Sequence, residues 1–310
     1  MLQLKKVKLA NDGFEASEIS LGIMRMSSLS NEEAKKVITT ALSSEIDYFD
    51  HADIYGAGSS EEVFGRAIKE LEIPRDSVYI QSKAGIVPGK MYDFSKKHII
   101  GAVESSLKRL QTDYLDAFLL HRPDTLVEPE EVAEAFDELE KTGKVRYFGV
   151  SNQNPMQIDL LKTAVQQPLI INQLQMSVTH HPMIDAGFNV NRVNDLAITR
   201  DGSILEYSRI HHMTIQPWSP FQVGNNKQGI LFDHPDYQEL NELLQNYAND
   251  RGVSREAIAI AWLLRHPANM QPIIGSMNPE RIAAVCKASS VKLSREEWYE
   301  IYRAGSYPLP

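Results

Sequence analysis

The 310-residue sequence has a single cysteine, Cys286. One thiol cannot close an internal disulfide, so packing and hydrogen bonds must hold the fold, and no oxidising compartment is needed. No run approaches the ~18 consecutive apolar residues of a membrane-spanning helix. Met1 to Leu9 alternates short apolar and basic residues and lacks the apolar stretch of a signal peptide. A soluble, cytoplasmic protein without membrane association is expected. Positive charge is also short: 32 Lys and Arg face 41 Asp and Glu, for a formal net charge of -9. Clustered cations hold phosphate backbones, so this balance argues against a general nucleic-acid binder. No Pro-, Gly- or Ser-rich linker divides the chain, and a single domain over residues 1–310 is expected.

Short apolar runs alternate with amphipathic stretches instead. The runs are Ile19–Met24, Tyr48–Ala52, Val78–Lys83, Tyr114–His121, Arg146–Ser151, Ile170–Gln175, Met213–Trp218 and Pro272–Ser276. Each has the length of a buried strand. Helical patterns lie between them, as in Asn31–Ser44, Lys97–Leu110, Pro129–Thr142 and Asn154–Gln166. Ser30 and Glu33 have capping-box spacing. Eight strand–helix units in about 290 residues predict a closed (β/α)8 barrel. An open dinucleotide-binding sheet would carry GxGxxG after its first strand, and Gly22 stands alone in Leu21-Gly22-Ile23-Met24-Arg25-Met26. Residues 1–18 alternate like a β-hairpin turning at Asn11-Asp12-Gly13. Residues 294–304 read as an added helix capped by Ser294 and Glu297.

A barrel of this kind carries its chemistry where the strands end. There the sequence has Asp50 and Tyr55 after strand two, Lys83 after strand three and His121-Arg122 after strand four. Ser151-Asn152 follow strand five, Asn172-Gln173 lie on strand six, and Trp218-Ser219-Pro220 follow strand seven. A tyrosine hydroxyl titrates near 10 and is a weak acid at neutral pH. An ammonium beside it would lower that value, a buried aspartate would hold the ammonium, and a histidine would steer a substrate oxygen. The set makes a metal-free proton donor aimed at a carbonyl, and a cofactor must then deliver the hydride.

Phe49-Asp50-His51-Ala52-Asp53-Ile54-Tyr55-Gly56 resembles the Asp-x-Ala-x-x-Tyr-Gly motif of the aldo-keto reductases. Lys83, His121, Gly149-Val150-Ser151-Asn152 and Ile273–Arg281 follow in that family's order and approximate spacing. The resemblance runs from Leu21 to about Ala284. It implies an oxidoreductase that reduces a small aldehyde or ketone with NADP(H). Tyr55 would be the general acid, Lys83 and Asp50 would tune it, and His121 would orient the carbonyl. Ser151, Asn152 and Gln173 would hold the nicotinamide carboxamide and Trp218 would stack on its ring, with Gly22 and Met24 brushing the cofactor. Ser219, Pro220, Phe221 and Gln222 would lie along the pyrophosphate. Ser276 and Arg281, beside Gly275, would meet the 2′-phosphate. Departures from the family pattern are Glu45, Gln153, Trp218, Val285 and Gly275, the last where many members carry Lys or Arg.

Two other readings use the same residues. One is an NADP(H)-binding sensor or regulatory subunit with little turnover. The other is a metal-dependent hydrolase or lyase built on Asp50 and His121. The pairs His180-His181 and His211-His212 invite a metal, but adjacent residues diverge, and zinc pairs on helices are spaced four apart. Taken alone, Asp50 could cap a turn, His121 could be a core histidine and Arg281 a solvated charge. The 191–202 segment has no assigned role, Tyr92 and Trp218 are candidate pocket walls, and a monomer is compatible with such a site.

Overall fold

The computed structural model describes residues 4–11, 13–224, 229–305 and 309. A hairpin of β1 (Lys6–Lys8) and β2 (Glu15–Ser17) comes first. Its strands pair as the alternation predicts, while Asp12 of the predicted turn lies outside the described residues. The barrel strands follow: β3 (Ser20–Gly22), β4 (Tyr48–Asp50) and β5 (Tyr79–Ala84). A short hairpin, β6 (Ile86–Val87) and β7 (Met91–Tyr92), stands after β5. Then come β8 (Leu115–Leu120), β9 (Val145–Ser151), β10 (Leu169–Gln175), β11 (Thr214–Trp218) and β12 (Ile273–Ile274).

The eight barrel strands pair in parallel in the order β11-β10-β9-β8-β5-β4-β3-β12. The ring closes just before β12. Ile215 N–H donates to Asn269 O at 2.9 Å, and Gln271 N–H donates to Ile215 O at 3.0 Å. Helices intervene between strands, making the (β/α)8 barrel that the eight-fold alternation predicts. All eight predicted runs contain a barrel strand, trimmed or extended by a residue or more at their ends. Both predicted capping boxes form, at Ser30/Glu33 and at Ser294/Glu297. Apolar residues on the inner helix faces, such as Val37, Phe64, Val103, Phe136 and Trp262, are buried against the outside of the strands. Among the described residues, no helix is long and apolar enough to cross a membrane.

The barrel interior is filled in steps. Strand alternation sends Tyr79, Gln81 and Lys83 to one face and Ile80 and Ser82 to the other. At the N-terminal end, Phe14 of the hairpin region lies 4.5 Å from the Tyr79 ring and 4.9 Å from that of Tyr147, plugging the bottom. Above the plug the filling turns polar. Gln271 donates to Ser17 O at 2.7 Å, and Gln216 donates to Gln271 Oε1 at 2.9 Å. Gln81 and Gln173 donate to Gln216 Oε1 at 2.9 and 3.1 Å. Each amide is thereby oriented, and at the top Gln81 and Gln173 also donate to the carboxylate of Asp50.

Candidate active site

Asp50 ends β4 and Lys83 lies near the end of β5, in neighbouring strands. The Lys83 side chain has no exposed surface. Its Nζ donates to Asp50 Oδ1 and to His51 O, both at 2.6 Å. Asp50 Oδ1 also accepts from Gln81 at 2.5 Å and from Gln173 at 3.0 Å. Burial presses the lysine towards neutrality, but Asp50 and Tyr55 more than offset it and raise its pKa above the ordinary lysine value. Lys83 is therefore a fixed cation.

Tyr55 is delivered by a tight turn. Asp53 N–H donates to Lys83 O at 3.0 Å, holding the chain against β5 beyond the end of β4. The backbone then takes positive φ at Gly56, Ala57 and Gly58 (58°, 54° and 94°). Gly58 has no room for a side chain: a Cβ there would sit 2.9 Å from Arg109 Cδ and Nε. The outcome is a Tyr55 ring centred 5.0 Å from Lys83 Nζ and 6.1 Å from the His121 ring, edge to face at 83°. The four residues expected to carry chemistry are thus together at the C-terminal mouth.

Their protonation differs in one respect from the sequence expectation. Burial pushes the Tyr55 pKa up, and Asp50 adds to this; Lys83 pulls it down but does not win. The tyrosine keeps its proton at neutral pH. His121 is driven to about 2 by burial, Lys83 and Arg122, so it is neutral, and its Nδ1 is buried without a hydrogen-bond partner.

Across the mouth, Ser151, Asn152, Gln173 and Trp218 also meet, bonded to one another. Ser151 Oγ donates to Gln173 O at 3.1 Å, and Asn152 Nδ2 donates to Ser151 Oγ at 2.7 Å. Trp218 Nε1 donates to Asn152 Oδ1 at 3.2 Å. Asn152 holds φ of 56°, a conformation asparagine tolerates. The Ser219–Gln222 loop begins with Ser219 at φ 52°, closes through Gln222 N–H to Ser219 O at 3.0 Å, and sets Phe221 and Pro220 beside β11. Gly22 faces the same end: a Cβ there would meet Ile273 Cγ2 at 2.8 Å and Asp50 Oδ2 at 3.9 Å. Met24 is half exposed beyond it.

After β12, Ser276 Oγ accepts from Asn278 N–H at 3.2 Å. Asn278 caps the helix Pro279–Cys286 at Arg281 N–H, 3.1 Å away. The Arg281 side chain is exposed. A second cation, not anticipated, reaches this corner: Arg25 Nη1 donates to Gly275 O at 2.8 Å. Other participants were also missed. Gln81, Gln216 and Gln271 form the floor under Asp50. Buried Glu61 accepts from Ser82 Oγ at 2.6 Å and Arg109 Nε at 2.7 Å, behind the Tyr55 turn. Gln81 was open to detection, since it sits two residues before Lys83 and shares its face. Nothing in the sequence separates Glu61 from its neighbour Glu62. His181, of the first histidine pair, bonds Asp185 Oδ1 through Nδ1 at 2.8 Å. Among the described residues no three His, Cys, Asp or Glu gather to hold a metal ion.

The family model described as "Aldo/keto reductase family" matches residues 18–305. The chain belongs to the aldo/keto reductase family. An uncharacterized oxidoreductase of Bacillus subtilis, YcsN, is 34% identical, with 99% of this chain and 100% of that protein covered. A 6-dehydroglucose reductase of Agrobacterium fabrum is 34% identical, with 94% and 95% covered. Among solved structures, an aldo/keto reductase from Klebsiella pneumoniae in complex with NADP and acetate superposes with a TM-score of 0.78 at 27% identity, with 99% and 97% covered.

Asp53, within this family motif, supplies a test of the site's electrostatics. Its Oδ1 is buried without a partner, and burial and Glu61 push its pKa up to about 7. A carboxyl raised in the folded state binds more protons there than in the unfolded chain between about pH 4 and 7, so its contribution to stability is lost as pH rises through that window. Asp53→Asn removes the charge. Urea unfolding should find it more stable than wild type by about 1–3 kcal/mol at pH 8, with the difference shrinking towards pH 4. A difference that does not change with pH would contradict the assignment.

Proposed function

We propose that this chain reduces an aldehyde or ketone to the alcohol with NADPH, with Tyr55 giving the proton. The observation that carries the reading is the buried, charge-balanced Lys83 beside a protonated Tyr55 and a neutral His121. When bound, NADPH supplies the hydride. Tyr55 holds the proton at its hydroxyl, where burial keeps it until a basic oxygen arrives. Lys83 then stabilises the phenolate left behind, and Asp50 keeps Lys83 in position. Neutral His121 offers an imidazole N–H to the substrate oxygen. The reductase name of the Agrobacterium relative and the NADP bound to the Klebsiella structure support the same reaction class and cofactor.

The residues present fit that cofactor. Trp218 offers a partly exposed flat face, and Ser151 and Asn152 offer a hydroxyl and an amide that now bond each other, Trp218 and the Gln173 carbonyl and would exchange partners with a carboxamide, while the Gln173 amide stays on Asp50 and Gln216 beneath it. Gly22, Met24 and the Ser219–Gln222 loop would line its path. At the other end, Arg25 and Arg281 flank Gly275-Ser276, and among the described residues neither is ion-paired with a carboxylate. Arg25 would supply the cation that Gly275 does not. A regulatory subunit that binds the cofactor without turnover would have no need to bury a lysine charge next to Tyr55, and we do not favour it.

Tyr55→Phe keeps the ring and removes the acid. Reduction of a model aldehyde should fall by about 10²–10⁴-fold while NADPH affinity, from fluorescence titration, stays near wild type. Near wild-type turnover in that variant would sink the mechanism. At the phosphate end, Arg281→Ala should weaken NADPH by about 10- to 150-fold, the range of a charge-assisted hydrogen bond, and leave NADH almost unchanged. Equal weakening of both cofactors would make Arg281 structural.

A further inference from the structure

We infer that Arg122 makes this site select carbonyl compounds that carry a second, anionic group such as a carboxylate; the inference rests on the reductase reading above. Arg122 follows His121 directly where β8 opens into the mouth. It is half-buried, and its Cζ stands 5.8 Å from the Trp218 ring centroid. Its charge is felt at both Tyr55 and His121, so it lies close to the reacting end of the site.

Among the described residues Arg122 has no carboxylate partner. The nearest acid in sequence, Asp124, is occupied: Oδ2 accepts Phe94 N–H and Oδ1 accepts Leu126 N–H, both at 2.9 Å. Lys83 is balanced by Asp50, and Tyr55 and His121 are neutral. Asp50, Lys83, Tyr55, His121 and Arg122 therefore sum to one positive charge, in a protein whose formal net charge is -9. General basicity cannot account for that charge.

Its location separates it from the cofactor's phosphate end. In the eight-strand ring β8 is four strands from β12, on the opposite side of the barrel from Arg25, Gly275, Ser276 and Arg281. Arg122 instead adjoins Tyr55 and His121, where the carbonyl is reduced. A guanidinium presents a planar fork that matches a carboxylate in two parallel hydrogen bonds, and that of Arg122, 5.8 Å from the Trp218 ring, makes no hydrogen bond among the described residues. A substrate with its carbonyl at Tyr55 and His121 and an anionic group a few bonds away would engage both ends.

The test compares matched aldehydes that differ in this charge: succinic semialdehyde against methyl 4-oxobutanoate, and 4-carboxybenzaldehyde against methyl 4-formylbenzoate. For wild type, kcat/KM should favour the acid in at least one pair by about tenfold or more. Arg122→Leu and Arg122→Gln should cut that preference by about 10- to 150-fold, chiefly through KM for the acid, and Arg122→Lys should restore part of it. An acid-to-ester ratio near one in wild type, or unchanged in the variants, overturns the inference while leaving the reductase reading intact. So does an equal loss for acid and ester that tracks weakened NADPH affinity, which would make Arg122 a cofactor residue. Absence of NADPH oxidation with all four aldehydes would instead defeat the reductase reading, and this inference with it.

Discussion

A lysine ammonium with no exposed side-chain surface lies against a carboxylate inside a barrel, and much of the rest of the structure serves that pair. Taking two charges out of water costs several kcal/mol per ion, repaid only by close geometry and by filling the remaining hydrogen-bonding capacity. Here the geometry is close, and Asp50 Oδ1 accepts from Gln81 and Gln173 as well as from Lys83. The second lysine bond, to His51 O, ties the ammonium to the segment that leads to Tyr55. The pair therefore fixes both the position and the charge of the group that acts on Tyr55.

The glutamine floor explains how such a pair is tolerated. An aliphatic interior would leave Asp50 with Lys83 alone. Gln81 and Gln173 each donate both to the carboxylate and to Gln216 Oε1, and Gln216 and Gln271 donate onward and down to Ser17 O, so all four amides are oriented. The Phe14 plug closes the bottom beneath them. Outside the barrel, Glu61 and Arg109 brace the same region: Ser82 faces outward next to Lys83 and bonds Glu61, while Arg109 fills the space beside Gly58. The Tyr55 turn is held from inside by Lys83 and from outside by Arg109.

Much of this was legible in the sequence because strand alternation is a local signal. Eight apolar runs with helical stretches between them gave the barrel, and polar residues at their ends gave Asp50, Tyr55, Lys83, His121 and the Ser151–Trp218 group. What escaped depended on contacts between distant segments. Gln216 and Gln271 matter only once β11 and the chain before β12 close the ring. Arg25 reaches Gly275 across 250 residues of chain, so a missing cation at Gly275 could not be matched with its substitute. The lowered Tyr55 pKa expected from Lys83 alone failed for a similar reason, since burial depends on the assembled mouth and outweighs the neighbouring charge.

The most direct measurement of the central claim is a double-mutant cycle on the buried pair, read by urea unfolding of wild type, Asp50→Asn, Lys83→Met and the double variant. Removing one partner leaves an uncompensated buried charge and should cost about 3–5 kcal/mol, whereas removing both should cost far less than the sum, giving a coupling of about 2 kcal/mol or more. Additive single losses, with no coupling beyond about 0.5 kcal/mol, would show that Asp50 and Lys83 are independent and would contradict the account.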